Sequence, residues 1–586
     1  MSLPELPEVA FPSSSALHNE LLYAAEDLSS VGLWASARWA SELLASMADG
    51  SSSVHSQPLP SYLAPSDRDS SFQEKSSMLL ARSFFNLREY GRVKDALQGI
   101  ASSPRAIFMK NYATFLLGEK LKEELMVERS GSAEIPVELE NSLLAELKRE
   151  LWAVQRESAS RQEKPDGFLL FLMGIICREM KDLDRAAALF CQSVNAYPLN
   201  WSAWCELAAV IDDISTIADA LPEHWCRNFF IAHWNLQLQH NDDALEYYQA
   251  LSNRFPRSSF LLSELALCYY NMRDYDTAEQ LFEAILVHEP HRLDGMDTFS
   301  NILYVKEAKV RLSALAQNAV ALDKYRPETC CIIGNYLSLK GNHTSAVAYF
   351  KRALRLNRRY LSAWTLMGHE YVELKNTAAA IESYRHAVEV NPRDYRAWYG
   401  LGQTYEILQL PFYALYYYRR SAQLRPYDGR MWTALAGCYE GLNRAQEAIK
   451  CYERAATRDD SEGLALTRLA KLHREIGEDE RAAAYYKKIL QNSNDNGTVN
   501  DLEEVSDSLM FLAAYSKQQG QLEEAHGYAA KLLDYPSGDR EAARALLREI
   551  QSLREQHGSL STSVVPAGEC EPLDEGSDDD MEMDDD

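Results

Sequence analysis

One stretch of this chain is written three times. Trp364, Gly368, Tyr371, Ala380, Tyr384, Ala387 and Pro392 recur as Trp398, Gly402, Tyr405, Ala414, Tyr418, Ser421 and Pro426, and again as Trp432, Ala436, Tyr439, Ala448, Tyr452 and Ala455. Matched residues lie 34 apart. Within a copy the marks fall at i, i+3, i+4, i+7 spacing in two clusters, so each copy reads as two antiparallel helices. A lone helical hairpin cannot bury its apolar face. Tandem copies must therefore stack into a continuous core, and this requirement constrains the fold more than any other feature of the sequence.

The period is that of tetratricopeptide repeats. Gly or Ala at repeat positions 8 and 20 lets the two helices approach, with Trp and Tyr filling the space around them. The Asn-Pro or Arg-Pro at position 32 ends the second helix. The expected fold is all-α, a tetratricopeptide superhelical solenoid with a disordered acidic C-terminal tail. Residues 1–14 are expected to be disordered. Residues 15–166 read as a helical N-terminal region with degenerate repeats, which opens on a hairpin over 15–48. A Ser/Pro-rich stretch from Asp49 to about Ser70 interrupts this region, and a degenerate repeat begins near Glu74. The array is expected over 167–535. Within it, 291–326 keeps apolar helical spacing but loses the marker residues, and 492–504 reads as a loop. A capping helix is expected over 536–557 and a disordered tail over 558–586.

Composition narrows the function. The formal net charge is -26, which argues against a nucleic-acid partner, since such binders carry a basic stripe. The last 18 residues hold 11 acids and no base, leaving -15 for residues 1–568. Ten cysteines are scattered with no CxxC and no metal-ligand pairing with His, and they read as reduced, mostly buried thiols of a protein of the nucleus and cytoplasm. The most apolar run, 167–177, is too short to span a bilayer, so no membrane partner is expected.

No segment reads as catalytic and no cofactor or metal is expected. "GHEY" (368–371) lacks the second His of a zinc-protease helix. "YGLGQT" (399–404) lacks the third Gly of a dinucleotide loop. Gly368 and Gly402 are already explained as packing positions. Function then rests on binding, and the first helix of each repeat is expected to line the groove. Lys and Arg, which clamp chaperone carboxylates in other repeat proteins, are missing from the inward positions. Glu370, Glu373, Glu406 and Glu440 stand at or beside those positions instead, with Asn335, Tyr399 and Gln403. This set would attract an Arg-bearing peptide. A solvated helix face would carry the same residues.

The phrases "CCIIGNYLSLKGNHTSAVAYFKRALRLN", "LSAWTLMGHEYVELKNTAAAIESYRHAVEVNPRDYRAWYGLGQTYEIL" and "PFYALYYYRRSAQLRPYDGRMW" go beyond the repeat markers. They resemble the cell-division-cycle twenty-three family, subunit eight of the anaphase-promoting complex, most strongly from about Lys324 to Tyr452. The resemblance implies a non-catalytic scaffold in a multisubunit ubiquitin ligase of mitosis. It implies three kinds of partner: a second copy through the N-terminal repeats, other tetratricopeptide and scaffold subunits, and the N-terminal box of a coactivator with its critical Arg. Two alternatives stand beside it. A generic repeat adaptor in another assembly would share the periodicity, and an enzyme regulator would bind through the acidic tail.

Overall fold

The computed structural model describes residues 9–47, 72–99, 103–129, 141–161, 164–458, 463–496, 502–533 and 540–561. Those residues form 28 α-helices and two single-turn 3-10 helices, with no strand among them. The fold is all-α and is built of tetratricopeptide hairpins. Two compact units divide the chain, Met1–Asp394 and Tyr395–Asp586, a boundary inside the array that the repeats present as continuous.

The first unit opens with the hairpin α1 (Ser14–Ser30) and α2 (Trp34–Ser46), then α3 (Phe72–Asn86), the short α4 (Tyr90–Ala96), the long α5 (Pro104–Arg129) and α6 (Leu144–Ser160). The hairpin α7 (Gly167–Glu179) with α8 (Leu183–Ala196) follows. Next comes an irregular turn of the stack, where α9 (Trp201–Val210) leads through the two 3-10 helices into α10 (Cys226–Gln237) and α11 (Asn241–Arg254). Regular pairs complete the unit: α12 (Ser259–Met272) with α13 (Tyr275–His288), α14 (Met296–Val305) with α15 (Lys309–Leu322), α16 (Pro327–Leu339) with α17 (His343–Leu356), and α18 (Leu361–Glu373) with α19 (Thr377–Val390). The second unit pairs α20 (Tyr395–Ile407) with α21 (Pro411–Leu424), α22 (Gly429–Gly441) with α23 (Ala445–Arg458), α24 (Leu464–Ile476) with α25 (Asp479–Asn496), and α26 (Leu502–Gln518) with α27 (Leu522–Leu532), and it closes on α28 (Arg540–Ser561).

Four hairpins are locked by an aromatic ring of the second helix seated on a glycine of the first. A Cβ built on Gly368 would lie 2.5 Å from Cε1 of Tyr384, and one on Gly402 would lie 2.5 Å from Cδ1 of Tyr418. Gly334 meets Phe350, and Gly174 meets Phe190, in the same way. Ala380, Ala414 and Ala448 on the second helices are fully buried. The tryptophans act differently from a space-filling core residue. Half-buried Trp364 donates from Nε1 to the Arg358 carbonyl at 2.8 Å, and Trp432 donates to the Pro426 carbonyl at 2.8 Å, so each pins the loop that precedes its own repeat. Trp398 is also half-buried, as are Tyr371 and Tyr439, whereas Tyr405 is buried. Pro392 and Pro426 are exposed and act on the backbone: Asn391, before Pro392, is extended and ends α19.

The turn inside each hairpin keeps a register that side chains do not advertise. Gln239, Arg273, Glu307, Gly341, Lys375, Gln409, Asn443 and Gly477 all have positive φ and recur at the constant interval of the repeat. At each, the next amide closes a six-residue ring onto the first helix, as in Asn376 N to Tyr371 O at 2.8 Å and Arg444 N to Tyr439 O at 2.9 Å. Six of the eight are not glycine, so no glycine periodicity marks them. The series runs through 291–326, which is a true repeat. Its markers are substituted inside intact helices, with Ser300, Leu312 and Ala316 standing one period before Gly334, Ala346 and Phe350, and α14 is also shorter than α16, 10 residues against 13, beginning after Gly295, φ +78°.

Other expectations need correction. Residues 9–13 are ordered: the Val9 amide and carbonyl bond the Asn228 side chain at 3.1 and 2.9 Å, and the Phe11 ring packs on Trp225. One apolar anchor and two backbone bonds outweigh the Ser/Pro composition. The expected loop over 492–504 shrinks, since α25 continues to Asn496 and α26 begins at Leu502. The capping helix runs past 557 to Ser561. Residues 1–8, 49–70 and the tail beyond Ser561 lie outside the described residues.

One face of the N-terminal hairpin is buried within its own chain, while Leu22, Tyr23 and Trp34 stay exposed. Trp39 on α2 stacks between Trp201 (5.0 Å, 8°) and Trp225 (6.0 Å, 11°), with Phe229 edge-on at 5.4 Å. Ser36 donates to Asn200 Oδ1, and Glu20 accepts from the Trp225 indole. These contacts absorb the apolar but weakly periodic pattern of α1 and α2.

Substitutions at three positions test this packing. Gly368→Leu drives a branched side chain into Tyr384 and is expected to cost about 1–3 kcal/mol or more. Gly402→Ala should cost less, because the equivalent position 436 already carries Ala opposite Tyr452. Unfolding followed by circular dichroism checks both; a wild-type transition for Gly368→Leu would refute the assignment. Trp39→Ala is expected to release α1 and α2, seen as faster amide exchange there with α22–α27 unchanged, at about 3–5 kcal/mol. Trp39→Phe should cost much less, since the buried Trp39 Nε1 has no acceptor among the described residues.

Candidate functional site

The groove residues expected from the sequence divide between the two units. Asn335, Glu370 and Glu373 belong to the first, and Tyr399, Gln403, Glu406 and Glu440 to the second.

In the first unit, consecutive first helices are tied by a polar ladder. Asn335 on α16 is 3% exposed, and its Nδ2 donates to Ser300 Oγ and Asn301 Oδ1 on α14, both at 2.7 Å. No bond to its Oδ1 occurs among the described residues. Three residues further along α16, Ser338 donates to Tyr304 OH at 3.3 Å or to Glu370 Oε1 on α18 at 2.7 Å. The second carboxylate oxygen of Glu370 lies 2.8 Å from His343 Nδ1, at the start of α17. Glu370 is 6% exposed, and no Lys or Arg among the described residues pairs with it. Burying a carboxylate away from any fixed cation is costly, even with two hydrogen bonds to hold it. Glu373, at the end of the same helix, is exposed.

The acids of the second unit have a task inside the repeat. Glu406 accepts from the Tyr418 hydroxyl at 2.7 Å, and Glu440 accepts from Tyr452 at 3.1 Å. Burial, then the adjacent carboxylate, holds each phenol well above the ordinary tyrosine range. The ring that seats on position 8 thus sends its hydroxyl to position 12 of the same repeat. In the repeat of Gly368, where position 12 is Val372, Tyr384 turns to His369 Nδ1 at 2.8 Å. Glu440 also faces Arg468 Nη1 at 3.6 Å. Glu406 and Gln403 are exposed, and Tyr399 is half-buried against Tyr418, with ring centroids 5.3 Å apart.

Sequence reasoning missed Ser300, Asn301, Tyr304, Ser338 and His343. The register could have found one of them. Asn301 stands one full period before Asn335, at the same repeat position, but in the repeat whose markers are lost. No group of three or more His, Cys, Asp and Glu arranged for a metal, and no helix long and apolar enough to cross a membrane, occurs among the described residues.

Comparisons with known proteins agree with this architecture. Residues 16–266 match the family model described as anaphase promoting complex subunit 8 / Cdc23. Tetratricopeptide models match 261–295, 327–360, 368–408 and 433–497. Anaphase-promoting complex subunit 8 of Arabidopsis thaliana is 41% identical over 393 residues, 62% of this chain and 67% of the relative. The Dictyostelium discoideum protein of the same name is 40% identical over 413 residues, 62% and 69% of the two chains. Anaphase-promoting complex subunit CDC23 of Saccharomyces cerevisiae is 31% identical over 438 residues, 61% and 69%. With stacked tetratricopeptide hairpins throughout and relatives of this identity covering two thirds of their own length, the chain belongs to the anaphase-promoting complex subunit 8/Cdc23 family.

Proposed function

We propose that this chain is a non-catalytic scaffold subunit of the anaphase-promoting complex, a ubiquitin ligase of mitosis, and that it works in the nucleus and cytoplasm. Its hairpins stack against other tetratricopeptide and scaffold subunits, and its first unit receives an Arg-containing segment of a coactivator. The observation that carries the docking site is the Glu370 carboxylate, buried and held by Ser338 and His343 with no Lys or Arg partner among the described residues. A guanidinium suits such a carboxylate, being planar, permanently charged and able to bond it in a bidentate fork, and Asn335 Oδ1 on the preceding first helix is a further open acceptor. Exposed Glu373 adds negative potential on the same helix.

A second observation favours self-association through the N-terminal region. Leu79, Leu80 and Leu87 on and just after α3, and Leu121 and Leu125 on α5, are all exposed. With Leu22 and Tyr23 on α1 and Trp34 on α2, which are also exposed, these leucines are the apolar surface available to a second copy.

Titration of a labelled coactivator peptide decides the docking site. Asn335→Ala with Glu370→Gln, which keeps an acceptor for Ser338, should weaken binding tenfold or more, since losing one partner of a buried charged contact costs roughly 2–5 kcal/mol. The melting temperature should fall only modestly, since Asn335→Ala removes two buried hydrogen bonds worth about 0.5–1.5 kcal/mol each while the hairpins stay folded, and replacing the peptide Arg by Lys should also weaken binding. Unchanged affinity in the folded double variant moves the site elsewhere. Light scattering of the full chain should give twice the 66.4 kDa monomer mass, and Leu80→Glu with Leu121→Glu should halve it. A wild-type protein that runs as a monomer at micromolar concentration removes the dimer.

A further inference from the structure

The outer face of α21 is unlike the rest of the second unit. Phe412, Tyr413 and Tyr416 are 72, 59 and 63% exposed, and Leu410 precedes them in the turn, also exposed. Spacing along the helix places Phe412, Tyr416 and Arg420 in one row, with Tyr413 and Arg419 beside it. The rings are not loose. Tyr405 is sandwiched between Tyr413 (5.4 Å, 22°) and Tyr417 (5.2 Å, 6°), and Tyr416 meets Tyr417 edge-on at 5.2 Å. Tyr413 and Tyr416 are thereby held by their ring contacts and lose little side-chain entropy on being covered. Its two arginines are also unspent. Arg420 touches only Gln423, at 3.3 Å, and neither Arg419 nor Arg420 pairs with a carboxylate among the described residues, in a chain of net charge -26. Rigid aromatics beside free guanidinium groups are the composition of binding hot spots.

The same unit ends in a segment of matching chemistry. Twenty-five residues follow Ser561, among them Leu573 between acids and the alternation Asp580-Met581-Glu582-Met583-Asp584. Acids set against Met and Leu suit this face, where thioethers pack on aromatic rings and carboxylates meet guanidinium groups. The length suffices. Twenty-five extended residues reach about 80 Å, while packed helices are spaced about 8–10 Å and three hairpins stand between α21 and α28.

We propose that the aromatic and arginine face of α21 is the docking surface of the chain's own acidic C-terminal segment, residues 568–586. A segment held by few apolar side chains and exposed ion pairs is weakly bound, so the contact is reversible and sensitive to salt. It shields an apolar patch that would otherwise invite association, and it is not required for the hairpins to fold.

The full-length chain carrying a photoreactive benzoylphenylalanine at Phe412 tests this. Irradiation at low ionic strength should give an adduct within one chain to residues 568–586, mapped by mass spectrometry. The same probe at Tyr427, exposed beyond the other end of α21, should not. Arg419→Glu with Arg420→Glu should cut the adduct yield at least about fivefold while leaving the circular dichroism melt unchanged, and about 0.5 M salt should act in the same direction. No adduct, an adduct only to a second copy, or a yield indifferent to both the charge reversal and salt overturns the proposal.

Discussion

The stack depends on one steric relation: an aromatic ring of the second helix lying where a Cβ of the first would be. At Gly174, Gly334, Gly368 and Gly402 the ring carbons come within 2.6 Å of that absent atom. The ring fills the seam between antiparallel helices, and that seam sets how close they run. The relation recurs at the 34-residue interval from Gly334 through Gly368 to Gly402. Packing within each hairpin follows from a local rule.

The ring also determines the chemistry of the groove side. A buried tyrosine must place its hydroxyl somewhere, and these send it across their own hairpin to Glu406, to Glu440 or to His369. Part of the acidic character of these first helices is therefore structural, a consequence of using Tyr where Gly174 and Gly334 face Phe190 and Phe350. Glu370 is of another kind. It satisfies no tyrosine of its own repeat; it closes a ladder from Tyr304 through Ser338 to His343, across three successive hairpins. A carboxylate so placed couples repeats, and any cation arriving there bears on all of them.

The N-terminal hairpin shows how a chain of repeats can consume its own apolar surface. Its pattern invites the reading of a dimer interface, yet Trp39 is spent on Trp201 and Trp225, which lie several repeats downstream in the sequence. Leu22, Tyr23 and Trp34 on the other side of the hairpin remain exposed, as do the leucines of α3 and α5. Hydrophobicity in a sequence states that burial will occur and is silent about the partner.

By itself the sequence determined the unit, its period and its packing code, because a repeat of this length with Gly, Ala and aromatic marks admits one local structure. It marked Gly368 and Gly402 as packing positions, and it set Asn335 and Glu370 in one group with Glu373, Tyr399, Gln403, Glu406 and Glu440, without separating them. The turn register at Glu307 and Lys375 was hidden, since the left-handed turn there is enforced by the hydrogen bonds of the helix end rather than by a glycine. So was the strap at Val9 and Phe11, whose anchors Asn228 and Phe255 lie far along the chain. Tertiary structure alone decided which acids are spent on tyrosines, which one is buried without a fixed cation, and which aromatics, Phe412 and Tyr416 among them, are left facing water. The physical reason is range. Periodicity records the contacts a residue makes within its own repeat and the next, whereas burial and ion pairing sum over every neighbour the fold brings near.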